Sequence, residues 1–289
     1  MDNGGTKKEL VGRTYAGVDG YCPFVVYLGS LGYCLELALR PGVQHSAAES
    51  EYNFERALPM AASLVSGALL VRADSGFCSL KLIQGITAQA KTLAREIALI
   101  IKWNPRRAPV ETIAAQGTAD ASAQWTIHRL GKRECIWQEY LDLDSVGTEA
   151  RPVRRVYRLT ESLPEKFSPA EIIALYCDHA THEQFASEFK TDMDLERLPS
   201  GKFDTNFLVC QLAAVAMNLL RLIGQNTLNE PDAPMRHSAK RRRIKTVMQE
   251  VMFKAARMIK HAGRWILGLG AGDSGFAVFD RHYGHFRAT

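Results

Sequence analysis

Apolar and polar residues follow two different patterns near the start of the chain. Tyr21 to Leu28 is almost unbroken apolar sequence, which predicts a strand buried on both faces. Tyr33 to Arg40 alternates and places its leucines on one face, which predicts a half-exposed edge strand. Gly29 to Gly32 between them is typical of a turn. The two runs therefore predict a hairpin with one inner and one outer strand.

In the next segment, two stretches with helical spacing alternate with two short apolar runs. Ala47 to Ser66 and Ser79 to Ala94 have helical spacing, whereas Ala68 to Asp74 and Ile97 to Trp103 are typical of short strands. Strand, helix and strand at this spacing predict a parallel pair, whose ligands lie at the carboxyl ends of the strands. Asp74 lies at such an end, so it is a candidate functional residue.

A region rich in predicted strands follows, from Asn104 to Phe167. Gln124 to Leu130, Cys135 to Leu143 and Val153 to Leu159 each favour a strand, and turn residues separate them. These runs predict a β-rich insertion between two parts of a larger α/β domain.

Helical patterns dominate the rest of the chain. Ser168-Pro169-Ala170-Glu171 is a capping box with proline in the first helical position, and the helix it opens is expected to run to Lys190. Asn206 to Ile223 and Ser238 to Ala262 predict two further helices. The patterns divide the chain into a first core part, the insertion, a second core part and a basic helical C-terminal segment, at residues 1–103, 104–167, 168–225 and 226–289.

Composition favours a cytoplasmic globular protein. The chain has 289 residues, of which 46% are hydrophobic, enough for a sizeable core. No stretch approaches eighteen uninterrupted apolar residues and no secretory signal opens the chain, so we expect neither membrane insertion nor export. The six cysteines are scattered without a C-x-x-C pair, which argues against a zinc module and a disulfide framework.

Positive charge is concentrated near the C-terminus. Arg236 to Arg264 contains ten Lys or Arg and one acid, while the whole chain has a net charge of +5. Lys240, Arg241, Arg242 and Arg243 open the last predicted helix, where cations oppose the helix macrodipole unless an anion compensates. This placement favours contact with the phosphates of DNA; the alternative is a solvated basic face.

Four polar residues are spaced for one helix face. Tyr176, His179, Glu183 and Lys190 follow each other at intervals of three, four and seven, so a continuous helix would place them together. Two other interpretations are a solvated face and a zinc site that uses His179 and His182, although the order matches no zinc-enzyme pattern.

These four residues resemble a family signature. The pattern Tyr-x2-His-x3-Glu-x6-Lys is similar to the Tyr-Arg-Glu-Lys signature of insertion-sequence DDE transposases, with His179 where that family usually has arginine. Further stretches resemble the insertion-sequence-1380 group of that family. They are Gly20-Tyr-Cys-Pro-Phe24, Leu39-Arg-Pro-Gly42, Arg72-Ala-Asp-Ser-Gly-Phe77, His182-Glu-Gln-Phe185, Glu188-Phe-Lys190 and Leu198-Pro-Ser-Gly-Lys-Phe203.

The resemblance implies a ribonuclease-H-like mixed sheet with flanking helices, a β-rich insertion before the Glu-bearing helix and a helical C-terminal region. It further implies that Asp74 and Glu183 hold Mg²⁺, or Mn²⁺ as a substitute, because hard oxygen ligands suit these ions. Tyr176, His179 and Lys190 would contact phosphates. The implied partners are double-stranded DNA, at transposon ends and target sites, and a second copy of the chain, in a nucleoid-associated bacterial protein.

The resemblance also implies a third acid, on a first and central strand. Asp2 is the nearest candidate and Asp19 a weaker one, while the alternative for Asp2 is an ordinary turn aspartate. We therefore expect an N-terminally truncated transposase with this acid misplaced or upstream of Met1. Two functions stay open: Mg²⁺-dependent cleavage and strand transfer at terminal inverted repeats, or an inactive remnant that binds DNA or full-length transposase.

Overall fold

A computed structural model describes residues 1–102, 118–119, 125–130, 133–141, 152–159, 163, 166–178, 181–228, 241–270 and 276–288. The chain forms two compact units, one of Met1–Gly42 with His182–Thr289 and the other of Val43–Thr181. Helices and small sheets occur in both, which confirms the predicted mixed α/β class.

The first unit begins with two small antiparallel sheets. Strands β1 (Gly12–Arg13) and β2 (Asp19–Gly20) form one pair. Strands β3 (Phe24–Leu28) and β4 (Tyr33–Ala38) form the predicted hairpin, whose turn uses positive φ angles at Gly29 and Gly32. The prediction that the first strand is buried on both faces is wrong, because the strand is half-buried after Phe24. Its one strand partner among the described residues is β4.

Helices complete the core of this unit. They surround buried residues of the hairpin, including Leu37 and Leu39, with Phe185, Met217 and Val247. The helical elements are α4 (Thr181–Ser187), a π-helical turn (Glu188–Asp192), α5 (Phe203–Leu228), α6 (Ile244–Val247), a second π-helical turn (Met248–Met252) and α7 (Phe276–Ala288).

The C-terminal region differs from its prediction. A helix was expected to reach Ala262, but helical structure ends at Met252 and a hairpin follows, β11 (Ala256–His261) and β12 (Arg264–Leu269). Ile259, Trp265 and Ile266 favour strands here, and Ala262-Gly263 supplies the two positive φ angles of a tight hairpin turn. The predicted C-terminal region is therefore only partly helical.

The second unit contains the predicted strand–helix–strand. Strand β5 (Leu69–Ala73), α2 (Leu80–Thr92) and β6 (Ile97–Lys102) follow α1 (Ser50–Leu64), and β5 pairs with β6 in parallel, as expected. The sheet continues with antiparallel strands in the order β5-β6-β10-β9-β8-β7. These strands are β7 (Thr118–Ala119), β8 (Trp125–Leu130), β9 (Arg133–Leu141) and β10 (Pro152–Leu159).

The strands predicted as an insertion thus extend the sheet that carries Asp74, because β10 pairs with β6. Strand β5 forms one edge of this sheet, and β7 forms the other. The hairpin β3–β4 is a separate sheet, and no described strand links the two. Helix α3 (Pro169–Cys177) completes the unit and begins with the predicted capping box.

Helix α5 is long and strongly apolar. Its 26 residues, with a mean hydropathy of 1.8 in the most apolar window, are sufficient by length and composition alone to cross a membrane. The same test is passed by core helices of soluble proteins, and one face of α5 belongs to the core of its unit. The helix is therefore weak support for a membrane span.

Candidate metal and DNA-binding site

Asp74 lies where the parallel strand β5 ends. Its carboxylate caps the short 3-10 helix Ser75–Phe77, and Oδ1 accepts hydrogen bonds from the Gly76 amide at 2.9 Å and the Ser75 hydroxyl at 3.0 Å. These two bonds fix the orientation of the carboxylate. Its side chain is exposed, and no described residue donates to Oδ2. One oxygen is thus held by the chain and the other faces solvent.

Arg72 connects the strand of Asp74 to the end of α3. Its Nη1 donates to the Leu175 carbonyl at 2.8 Å and lies 3.5 Å from Asp178 Oδ2. A continuing helix would use that carbonyl for the amide four residues later. The Arg72 guanidinium donates to one of the last carbonyls of α3, and a cation at a helix C-terminus is also favoured by the macrodipole.

The expectation of one continuous helix from Ser168 to Lys190 is therefore wrong. Helix α3 ends at Cys177, and α4 is a separate helix that changes into a π-helical turn from Glu188 to Asp192. A π-helical turn contains more residues than an α-helical turn, so the spacing predicted for Lys190 does not hold. The three signature residues that the structure describes, Tyr176, Glu183 and Lys190, lie in three different helical elements.

The signature residues belong to different parts of the structure. Tyr176 lies in the second unit, half-buried against the cluster of Ile100, Leu159 and Ile172. Glu183 and Lys190 lie in the first unit, where Glu183 is exposed and Lys190 is half-buried. His179 is outside the described residues. Asp74 and Tyr176 thus share one unit, and Glu183 and Lys190 the other.

Glu183 lines a cavity of about 420 Å³ in the first unit. The other lining residues are Gln184, Ser187, Glu188, Arg241 and Arg243. Two carboxylates and two guanidinium groups line this cavity, and such groups can provide ligands for a cation and donors for phosphate oxygens. The cavity therefore has the chemistry of a site for a metal-associated phosphate.

Beneath this cavity is a buried ionic cluster. Glu188 is 2% exposed, and its carboxylate binds Arg221 Nη2 at 2.7 Å and also contacts Arg241. Arg221 is 1% exposed and donates to the Arg242 carbonyl at 3.0 Å. Burial lowers the pKa of Arg221, and the charge of Glu188 partly opposes that shift. This cluster fixes residues 241–243 against α5.

The arginines of the predicted basic run differ in burial and in their partners. Arg243 forms two parallel hydrogen bonds with Asp192, at 2.8 Å and 2.9 Å, and stays half exposed at the cavity. Arg242 is buried, with its guanidinium between Glu250 and Thr227. Lys240 is outside the described residues. Arg241 and Arg243 are therefore the members of the run that line the cavity with Glu183.

The two candidates for a third acid have structural contacts. Asp2 Oδ1 accepts a hydrogen bond from the Gly4 amide at 2.8 Å, the geometry of an ordinary Asx turn. Asp19 lies 3.5 Å from Arg13, and both side chains are exposed. Among the residues that the structure describes, no group of three His, Cys, Asp or Glu side chains is arranged to hold a metal ion.

Sequence patterns did not indicate Arg72, Glu188 or Arg221 as organising residues of these sites. Arg221 offered a signal, because it is the one charged residue between Thr205 and Leu228 in an otherwise neutral helix. A lone cation among apolar residues indicates a buried ion pair. Its partner Glu188 is distant in sequence and could not be identified from the pattern.

A family model for the transposase DDE domain matches residues 20–219, which include β3 to β10, Asp74 and Glu183. The fold is that of a mixed α/β protein, and the carboxylates of Asp74 and Glu183 are both exposed. The chain belongs to the DDE transposase family, whose members are enzymes that act on DNA and generally use divalent metal ions. No curated protein matches the chain.

Proposed function

We propose that this chain catalyses Mg²⁺-dependent DNA cleavage and strand transfer of an insertion sequence at its terminal inverted repeats. The observation that carries the proposal is that the matched family domain contains two exposed carboxylates, Asp74 and Glu183, each placed by local structure. The resemblance to the insertion-sequence-1380 group and its Tyr-Arg-Glu-Lys signature supports the same function. A cytoplasmic, nucleoid-associated protein is consistent with it.

Asp74 and Glu183 would hold the metal ions, with Mn²⁺ able to replace Mg²⁺. Both carboxylates are hard oxygen donors, and the free Oδ2 of Asp74 suits this role. When bound, the ions would supply activation of water or a 3′-hydroxyl and neutralise charge at the phosphodiester. The Gly76 and Ser75 contacts keep Asp74 oriented. Among the described residues, no three His, Cys, Asp or Glu side chains form a ready-made metal site.

Contacts with DNA would come from Tyr176, His179 and Lys190 and from Lys240, Arg241 and Arg243 of the basic run. Arg242, which was expected to contact DNA as well, is left out because its guanidinium is buried against Glu250 and Thr227. Arg241 and Arg243 are the best supported, because they line the cavity with Glu183. Their carboxylate partners keep both guanidinium groups oriented, and a guanidinium can bind phosphate with two parallel hydrogen bonds. A homodimer that brings two transposon ends together completes the proposal.

The test is cleavage of end-labelled inverted-repeat DNA by the purified chain in Mg²⁺ or Mn²⁺. Asp74→Asn and Glu183→Gln should each lower cleavage by at least about 100-fold, as expected for loss of a group that stabilises transition-state charge. Glu55→Gln, which alters an exposed acid on α1, is the control and should keep full activity. Equal cleavage by all three variants would contradict the assignment.

Metal binding gives a second readout that does not depend on turnover. Titration calorimetry with Mn²⁺ should detect binding by the parent chain and by Glu55→Gln, and no binding by Asp74→Asn or Glu183→Gln. Unchanged Mn²⁺ affinity in either site variant would remove that residue from the metal site.

A second candidate function is a DNA- or transposase-binding protein without catalysis. The absence of a three-carboxylate group among the described residues favours it. In that case the chain would bind inverted-repeat DNA, Asp74→Asn would not alter binding, and no cleavage would occur in either metal. Cleavage by the parent chain excludes this candidate.

A further inference from the structure

Helix α5 has an apolar stripe on the face opposite its core. Five side chains there are about half exposed: Leu208 (57%), Leu212 (62%), Val215 (59%), Leu219 (56%) and Leu222 (49%). Cys210 and Met217, on the opposite face, are fully buried. A helix that is apolar on both sides is normally covered on both sides.

The spacing of the stripe is that of a helix-pairing seam. Successive intervals of four, three, four and three residues repeat every seven, as in helices that pack by inserting side chains between those of a partner. The polar residues Thr205 and Asn226 extend the same repeat by one position at either end. The seam is therefore an apolar strip bounded by polar residues.

The flanks of the seam show why a second copy of the chain fits. Like charges at flanking positions would repel between identical helices, but Gln211, Asn218 and Gln225 on one flank are neutral. On the other flank are Val209, Ala216 and Ile223, which are half-buried. Two identical helices can therefore approach without repulsion.

The order of residues in the seam is self-complementary. The seam reads Leu-Leu-Val-Leu-Leu in either direction along the helix. A two-fold axis near Val215 therefore places leucines opposite leucines of the other copy. With five side chains about half exposed, pairing two copies would bury at most about 1,000 Å² through the seam, close to the minimum for a biological interface.

A lipid surface fits this helix less well. Helices that lie on membranes carry Lys or Arg on their polar face. The one cation of α5 after Thr205 is Arg221, which is buried and bound to Glu188. No exposed cation on α5 is therefore placed to meet a lipid headgroup beside the seam.

We propose that Leu208, Leu212, Val215, Leu219 and Leu222 form a dimer interface that pairs α5 with α5 of a second copy in antiparallel orientation. The inference deepens the homodimer of the proposed function by assigning its surface, but it rests on α5 alone. It requires neither DNA nor metal.

The test is the mass of the metal-free and DNA-free chain by sedimentation velocity at several concentrations. The parent should be a dimer, whereas Leu212→Asp and Leu219→Asp should be monomers with unchanged circular dichroism. Leu64→Asp is the matched control, since Leu64 is also 62% exposed but lies on α1, and it should remain a dimer. Val215→Cys should form a disulfide-linked dimer on mild oxidation, and the parent should not.

A monomeric parent chain overturns the proposal, and so does a dimer that survives both aspartate substitutions. A monomer that floats with phosphatidylcholine vesicles would identify lipid as the occupant and would also overturn it. The proposed function fails separately: a dimer without cleavage contradicts the transposase activity alone, and cleavage by a monomeric parent contradicts this interface alone.

Discussion

Two antiparallel hairpins in the same unit have opposite environments. The hairpin β3–β4 contributes Phe24 and Leu37 to the core, each 2% exposed. The hairpin β11–β12 is less apolar but also contains large apolar side chains, and there Met258 is 63% and Trp265 is 66% exposed. Both have strands of five or six residues and tight turns with positive φ angles. The difference must therefore come from what each hairpin packs against.

Side chains of α5 form hydrogen bonds with the backbone of β4. The Asn218 side-chain amide donates to the Cys34 carbonyl at 2.8 Å and accepts from the Cys34 amide at 2.8 Å, as a neighbouring strand would. Gln211, seven residues earlier, donates to the Leu37 carbonyl. These amides satisfy the edge of β4, so its apolar side chains can be buried without an unsatisfied backbone. No side-chain amide bonds of this kind are described for β11–β12.

The largest contrast is expected from removing a leucine in each hairpin. Leu37→Ala should lower the free energy of unfolding by about 2 to 5 kcal/mol, because it opens a cavity in the core. Leu267→Ala, at a half-exposed position of β12, should change it by no more than about 0.5 kcal/mol. Urea unfolding measures both, and equal losses would show that the two hairpins are packed alike.

The amide contact is expected to have the next largest effect. Asn218→Leu keeps the volume of the side chain but leaves the Cys34 amide and carbonyl without their partner. Leaving part-buried polar groups unsatisfied costs about 1 to 3 kcal/mol. Asn226→Leu, at an exposed position of the same helix, is the control. Similar urea midpoints for the two variants would show that the Asn218 contact does not stabilise β4.

Turn glycines provide a finer comparison. Gly32 and Gly263 have φ angles of 75° and 78°, so alanine at either position is strained by about 1 kcal/mol or more. A Cβ at Gly32 would also lie 2.6 Å from the Phe185 ring, whereas a Cβ at Gly263 meets open space. Gly32→Ala should therefore destabilise the chain more than Gly263→Ala. Thermal unfolding ranks them, and the reverse order would contradict the packing of β3–β4.

The smallest effect is expected from pH. Burial raises the pKa of the Cys34 thiol to about 12, so this thiol stays neutral in the folded chain where it ionises in the unfolded chain. Its contribution to stability is complete below the unfolded pKa and is lost as the pH rises towards 12. Cys34→Ala should make the fall in stability above pH 9 shallower by at most ~1.4 kcal/mol per pH unit. Cys177→Ala, at an exposed thiol, should not alter it.

Local sequence patterns predicted a helix or strand correctly where residues close together in the sequence determine it. The β5–α2–β6 unit and the capping box at Ser168 followed from spacing and cap chemistry alone. The contact of Arg72 with the end of α3 was not predictable, because the two segments are about a hundred residues apart. The prediction of a helix up to Ala262 was wrong. The helical spacing between Ser238 and Ala262 was a weaker signal than the strand-forming residues and the hairpin turn that follow Met252.

Local sequence patterns also predicted part of the candidate site. Asp74 at the end of a strand followed from the parallel unit, and the structure places it there. The shared cavity of Glu183 with Arg241 and Arg243 joins segments about sixty residues apart, and periodicity carries no information on such contacts. The family match adds the chemistry but not the position of these arginines.

Arg72 is two residues before Asp74 and belongs to β5 while its guanidinium holds the end of α3. The strand cannot slide along its neighbour without pulling this guanidinium away from the Leu175 carbonyl. The carboxylate of Asp74 is thus kept in longitudinal register by a helix on another part of the chain. Arg72 would then determine how precisely the proposed metal ligand Asp74 is placed, although its described contacts are with Leu175 and Asp178 instead.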